Sequence, residues 1–168
     1  MPKIIHIVGR KNNGKTSLIV ELIDEFTKKG IRIGSLKHSS HRHELDQPGK
    51  DSQRQRIAGA NPAVVVSKDL AAVFLTPNQG EDLFGKVQSY FIDCDLVIAE
   101  GAHSRDATKI EVWREEVGSG LLCEDDPHIV AIVSDDSPPQ NSIPVWPRHD
   151  VSAIADNILE LIKGDMQS

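Results

Sequence analysis

The chain has 168 residues, 39% of them hydrophobic and 26% charged, a composition that suits one folded domain over residues 1–168. Its net charge of -6 argues against nucleic acid as the main partner, and its apolar runs are too short to cross a membrane. Two cysteines are too few for a disulfide framework, and a strand-like start at residues 4–8 predicts a cytoplasmic protein without a secretory signal.

Strand and helix patterns alternate along the chain, which predicts an α/β fold with a mostly parallel sheet and helices on both faces. Residues 4–8 form a continuous apolar run, typical of a buried strand, and residues 15–29 carry apolar side chains at helical spacing. The proline-rich residues 137–147 predict a loop. The other predicted elements are strands at 31–37, 96–99, 109–114 and 129–133, a β-hairpin at 63–67 and 70–75, and helices at 51–58, at 80–92 and from an N-cap at Asp150.

Residues 9–16 read GRKNNGKT, the pattern G-x-x-x-x-G-K-[ST], between the first predicted strand and helix. The glycines let backbone N–H groups point at a phosphate, and the helix N-terminus adds partial positive charge. We expect Lys15 to reach the β- and γ-phosphates and Thr16 to bind Mg²⁺. A turn that only joins strand to helix is the alternative. The predicted ligand-binding residues are Gly9, Asn12, Asn13, Gly14, Lys15, Thr16 and Ser17.

A metal-bound phosphate also needs a carboxylate. The buried strand at 96–99 is followed by Glu100, and ligands collect at the carboxyl ends of parallel strands. We therefore predict Glu100 as the carboxylate that binds magnesium or positions water, and as a catalytic residue with Lys15; an ordinary strand-end charge is the alternative. Asp95, before the same strand, is expected to lie at the far edge. Asp51 is a further candidate metal ligand, or only the N-cap of the polar helix.

The segment 32–56 is rich in lysine, arginine and histidine. We expect the strand at 31–37 to lie next to the phosphate-loop strand, so that this segment lies beside the nucleotide. A metal site formed by His38, His41 and His43 is an alternative, as are solvated loop charges. The candidates for binding a second anion or the γ-phosphate are Lys37, His38, His41, Lys50 and Asp51.

The preferred base is poorly encoded, because the guanine-binding N-K-x-D motif is absent and the sequence does not separate GTP from ATP. Asp135 follows the apolar strand at 129–133, where a carboxylate is placed to bind guanine N1 and N2. Asp135 is therefore a hypothesis for the base-binding residue.

Three segments carry a more specific pattern. Residues 37–41 read KHSSH, residues 46–60 read DQPGKDSQRQRIAGA, and EG at 100–101 is followed by KIEV at 109–112 and by Arg114. Together with the phosphate loop, they closely resemble the molybdopterin-guanine dinucleotide biosynthesis adaptor family, MobB, over most of residues 4–135. Ala102 and His103 replace an aromatic residue and a lysine that are more common in that family.

The resemblance implies a three-layer P-loop NTPase-like fold, GTP and Mg²⁺ as cofactors, weak GTPase activity, a homodimer, and molybdopterin or its dinucleotide as a second ligand. It also implies an accessory role in molybdenum cofactor biosynthesis, because a separate MobA-type guanylyltransferase attaches GMP to molybdopterin. Two other functions use the same phosphate loop: a small-molecule kinase, and a metal-delivery GTPase that uses the histidine-rich segment.

Overall fold

A computed structural model describes residues 2–39, 44–78, 80–81, 83–101, 107–139 and 142–164. No helix within these ranges is long and apolar enough to span a bilayer. The elements are, in chain order, β1 (Lys3–Val8), α1 (Lys15–Lys28), β2 (Ile33–Lys37), α2 (Asp51–Ile57), β3 (Ala63–Val66), β4 (Ala71–Phe74), α3 (Leu83–Val87), β5 (Leu96–Glu100), β6 (Lys109–Val112), β7 (Ile129–Val133), β8 (Val145–Trp146) and α4 (Val151–Gly164), with short 3-10 turns at Gln88–Phe91 and Glu115–Val117.

Residues 1–39 and 91–168 form one compact unit, built on a six-stranded sheet in the order β2-β5-β1-β6-β7-β8. All of its strand pairs are parallel, which confirms the predicted fold class. The prediction that β2 lies next to the phosphate-loop strand β1 is wrong, because β5 lies between them. Residues 96–99 of β5 are fully apolar and buried, so β5 occupies the interior of the sheet and β2 its edge.

The main core lies on one face of this sheet, where α1 and α4 pack together. Phe26 of α1 and Ile158 of α4 are both fully buried in it, and the Asp150 side chain accepts a hydrogen bond from the N–H of Ala153 at 3.0 Å. This bond confirms Asp150 as the N-cap of α4. On the opposite face, the ring of Phe91 lies against Gly34.

Glu111 of β6 is buried, with 0% of its surface exposed. Its carboxylate oxygens accept hydrogen bonds from the backbone N–H groups of Leu122 (2.7 Å) and Cys123 (3.0 Å). Two backbone donors thus compensate for the loss of water around the carboxylate, and the charge fastens the loop that follows β6.

Residues 40–90 form a second compact unit. Its β3 and β4 pair as the predicted antiparallel hairpin, and α2 packs against β3. Ala63 is buried, whereas Val66 and Leu70 are 75% and 73% exposed. The hairpin therefore carries an uncovered apolar surface. The sequence-based expectation of one domain stays a prediction.

Two predicted elements differ in the structure. The helix predicted over 80–92 is confined to α3, and the chain continues as a 3-10 turn at Gln88–Phe91. The loop prediction for residues 137–147 is wrong at Val145–Trp146, which forms β8 at the sheet edge. Pro144 and Pro147 flank this strand, and the carbonyl of Pro144 accepts a hydrogen bond from the Ile132 N–H at 2.9 Å. Prolines are tolerated here because an edge strand is paired on one side only.

Candidate functional site

Close packing against the end of β6 determines the path of the phosphate loop, residues 9–16. Gly9 has a φ of 143°, and a Cβ there would lie 2.4 Å from the carbonyl oxygen of Val112. Gly14 has a φ of 88°, and its Cβ would lie 2.9 Å from the guanidinium of Arg114. Both φ values disfavour a residue with a side chain. At Gly9 the added atom would also clash with backbone, whereas at Gly14 it would meet only the end of the Arg114 side chain, which can shift.

Asn13 ties the loop to the sheet through its side chain, which is fully buried. Its Oδ1 accepts a hydrogen bond from the backbone N–H of Arg114 at 3.1 Å. Asn12 has a φ of 70°, a left-handed conformation that asparagine tolerates better than most residues. Asn12 and Asn13, both predicted as ligand-binding residues, thus also shape the loop itself.

Helix α1 begins at Lys15, directly after the loop. The backbone N–H groups of Lys15, Thr16 and Ser17 lie in its first turn and have no acceptor within the helix. Together with the helix dipole, they form a site of positive potential suited to a phosphate.

The ammonium of Lys15 folds back across the loop and donates a hydrogen bond to the carbonyl of Arg10 at 2.9 Å. Burial lowers the pKa of Lys15, Glu100 acts in the opposite direction, and Lys37 lowers the pKa further. Lys15 therefore lies in one electrostatic cluster with an acidic and a basic side chain.

Glu100 completes this cluster at the carboxyl end of β5. Its Oε1 accepts a hydrogen bond from the Thr16 hydroxyl at 3.0 Å, and its Oε2 lies 3.2 Å from Nζ of Lys37. A hydroxyl and a carboxylate are hard oxygen donors of the kind that Mg²⁺ prefers, so this pair fits the ion. Asp95, at the opposite edge, forms an ion pair with Arg32 at 2.7 Å.

The structure distributes the other predicted anion-binding residues over both units. Lys37 and His38 directly follow one another at the end of β2, and the His38 N–H donates to the Glu100 carbonyl at 3.0 Å. Lys50 and Asp51 lie at the start of α2 in the second unit, where Asp51 is 3.7 Å from Arg54. Their roles in phosphate or metal binding stay predictions.

The predicted site residue His41 lies outside the described residues, as does His43 of the alternative histidine metal site. The described residues contain no group of three or more histidine, cysteine or acidic side chains that could hold a metal ion.

Asp135, predicted to bind the base, lines a cavity of about 260 Å³ at the carboxyl ends of β6 and β7, together with Trp113, Arg114, Asp136 and others. One of its carboxylate oxygens accepts a hydrogen bond from the backbone N–H of His149 at 3.0 Å and lies 2.7 Å from Nδ1 of its ring. Burial raises the pKa of Asp135, but these hydrogen bonds outweigh it and the net shift is downward.

Two residues at the site were not among the sequence-based candidates for a role there. His6, only 1% exposed, places Nδ1 3.0 Å from the carbonyl of Gly101, directly after Glu100. Arg114 lies against the phosphate loop. The sequence held a signal for each of them. His6 is a histidine inside an apolar strand, and Arg114 lies near the end of a buried strand.

A model of the family described as "Molybdopterin guanine dinucleotide synthesis protein B", MobB, matches residues 4–135. This chain belongs to the MobB family. The matched range includes both the phosphate loop and the 37–60 segment on which the sequence-based resemblance depended. The chain is therefore a MobB-type molybdopterin-guanine dinucleotide biosynthesis adapter.

Individual relatives agree with the MobB assignment. The chain is 33% identical over 166 residues to the molybdopterin-guanine dinucleotide biosynthesis adapter protein of Escherichia coli, covering 95% of this chain and 93% of the relative. It is 30% identical over 132 residues to the protein of that name from Haemophilus influenzae, covering 78% and 74%.

Solved MobB structures share the fold. A crystal structure of molybdopterin-guanine biosynthesis protein B superposes with a TM-score of 0.71 at 29% identity, covering 95% of this chain and 99% of the other. Bacillus subtilis MobB gives a TM-score of 0.70 at 23% identity, covering 94% and 96%, and supports the fold alone.

The packing of the loop predicts unequal effects of two glycine substitutions in this MobB-family chain. We expect Gly9→Ala to lower the free energy of unfolding by about 3 kcal/mol or more, because it combines an unfavourable φ with a clash against backbone. Gly30→Ala is the matched control: its φ is 77°, but nothing lies within 4 Å of the added Cβ, so we expect a loss of about 1 kcal/mol. Urea unfolding measures both, and equal losses would contradict the packing argument.

Proposed function

We propose that this MobB-type adapter binds GTP with Mg²⁺ and assists a MobA-type guanylyltransferase in converting molybdopterin to molybdopterin guanine dinucleotide. The observation that carries the proposal is the arrangement at the start of α1, where Thr16 and Glu100 face each other at 3.0 Å beside Lys15. Family membership favours this adapter role over the small-molecule kinase and metal-delivery alternatives.

Each residue in this proposal has a chemical task. The N–H groups of the loop and Lys15 bind the β- and γ-phosphates, and Ser17 lies near the α-phosphate. Thr16 and Glu100 hold Mg²⁺, which supplies positive charge that offsets the charge of the phosphates, and Asp51 is a further candidate ligand. Glu100 also positions a water, which accounts for a weak GTPase activity.

The proposed second ligand is molybdopterin or its dinucleotide, whose phosphate is bound by the basic segment. Lys37 already lies beside Glu100, and His38 follows it in the chain. The remaining candidates are His41, Lys50 and Asp51. We also propose that the protein acts in the cytoplasm.

The proposal is tested with the purified protein, alone and with a MobA-type enzyme and molybdopterin. We expect GTP binding, slow hydrolysis, and a faster formation of the dinucleotide when the adapter is added. Lys15→Ala should weaken GTP binding by about a hundredfold, because charge-assisted bonds to phosphate are lost. Lys28→Ala, which removes an exposed lysine from the end of α1, is the control and should change neither quantity. Rapid multiple turnover with a small phosphate acceptor would instead indicate a kinase.

Asp135 is proposed to select guanine within the cavity at the carboxyl ends of β6 and β7. We expect Asp135→Ala to reduce the preference for GTP over ATP by about tenfold, because a carboxylate bonds to guanine N1 and N2 and is repelled by the acceptor edge of adenine. Competition binding of both nucleotides measures the ratio. Asp125→Ala, at an exposed turn, is the control. An unchanged ratio in Asp135→Ala would exclude this role.

We also propose a homodimer that covers the apolar surface of the β3–β4 hairpin. Although α2 packs against β3, Val66 and Leu70 of the hairpin stay largely exposed, and an uncovered apolar surface of this kind is typical of an interface. We expect Val66→Lys to shift the protein towards the monomer in analytical ultracentrifugation. Val20→Lys changes a valine that is 62% exposed on α1 and should leave the dimer intact. A wild-type monomer at micromolar concentration, or a dimer that survives Val66→Lys, would contradict this surface.

A further inference from the structure

Arg114 brings a positive charge to the phosphate loop from outside the loop's own sequence. It lies two residues after the end of β6, and its backbone N–H donates a hydrogen bond to Asn13 at 3.1 Å. Its guanidinium lies against Gly14, the residue that precedes helix α1. Backbone and side chain of Arg114 therefore both contact the loop.

The guanidinium is only weakly neutralised. Its Nη1 lies 3.2 Å from Oε1 of Glu116, and the two side chains are 41% and 73% exposed. An exposed ion pair of this kind contributes little free energy. A phosphate that approaches the loop can therefore compete with Glu116 for Arg114.

Arg148 also lines the β6–β7 cavity, but it has a stronger partner than Arg114 does. Both terminal nitrogens of Arg148 donate to the Glu21 carboxylate, at 2.7 and 2.9 Å, which fits a bidentate pair. Asp135 and Asp136 add negative charge to the cavity wall, so an anion is favoured beside Arg114 at the loop and disfavoured beside these two carboxylates. Of the two arginines among the described lining residues, Arg114 thus has the more replaceable partner.

We propose that Arg114 is a phosphate-binding residue of the nucleotide site and that bound phosphate displaces Glu116 from it. This inference rests on the proposed function, since it assigns a further ligand to the same nucleotide. Its guanidinium presents fixed N–H donors to a phosphate oxygen, and its position beside Gly14 places that contact at the start of α1.

The phosphate-binding role of Arg114 is tested by the affinity of the whole chain for GTP and for inorganic pyrophosphate. Because pyrophosphate has neither base nor ribose, it reports on phosphate contacts alone. We expect Arg114→Gln to weaken both about tenfold or more, and Arg114→Lys to retain part of the affinity. Glu116→Gln should strengthen binding about two- to threefold at low salt, because the competing carboxylate is removed. The differences should shrink as salt is raised.

Arg32→Gln is the matched control. Arg32 forms an exposed ion pair with both carboxylate oxygens of Asp95, at the amino ends of the strands and away from the phosphate loop, so its loss should leave both affinities unchanged. Thermal unfolding of each variant shows whether Arg114→Gln is folded, and Glu116→Gln tests the same pair without disturbing the loop.

The outcomes distinguish this inference from the proposed function. Wild-type protein that binds neither GTP nor pyrophosphate would overturn both. Wild-type binding that is lost in Lys15→Ala but unchanged in folded Arg114→Gln, or in Glu116→Gln, would overturn only the role of Arg114. A loss for GTP with no loss for pyrophosphate would also overturn it, because it would indicate a contact with the base or the ribose.

Discussion

The close approach of the phosphate loop to the end of β6 is the constraint on which the site depends. The loop backbone at Gly9 lies so near the carbonyl of Val112, the last residue of β6, that no side chain fits there. Asn13 accepts a hydrogen bond from the backbone N–H of Arg114, two residues beyond the strand. These contacts fix where α1 begins. The direction of its free N–H groups, and hence the place of any phosphate, follows from that contact.

The parallel sheet then supplies the remaining charges. Because β2 and β5 are parallel, Lys37 and Glu100 lie side by side at their carboxyl ends, with Nζ of Lys37 3.2 Å from Oε2 of Glu100. The hydroxyl of Thr16 in α1 donates to the other oxygen of this carboxylate. The opposite edge carries a different pair, in which the hydrogen bonds from Arg32 hold the pKa of Asp95 at about 2. The fold thus places a surface ion pair at the amino ends of the strands, and the cluster around the phosphate loop at their carboxyl ends.

The second face of the sheet, opposite the main core, carries buried polar groups that bond to neighbouring segments. Glu111 holds two backbone N–H groups after β6, and Lys109 pairs with Asp126 at 2.7 Å. His6 contacts the carbonyl that follows Glu100. Each is a group that is costly to bury without a partner. Glu111 and His6 therefore stabilise the segments that follow β6 and β5, whereas the Lys109–Asp126 pair stabilises the turn before β7.

Local features of this MobB-family chain could be predicted from its sequence. Apolar periodicity located the main strands, α1 and α4, and the glycines with Lys15 and Thr16 identified the phosphate loop, since backbone conformation and amphipathic spacing are local properties. Tertiary structure alone decided that β5 separates β2 from β1, that residues 145–146 join the sheet edge, and that Arg114 reaches Gly14. These outcomes depend on contacts between residues that are distant in the chain, and spacing along a sequence carries no record of which strand ends become neighbours.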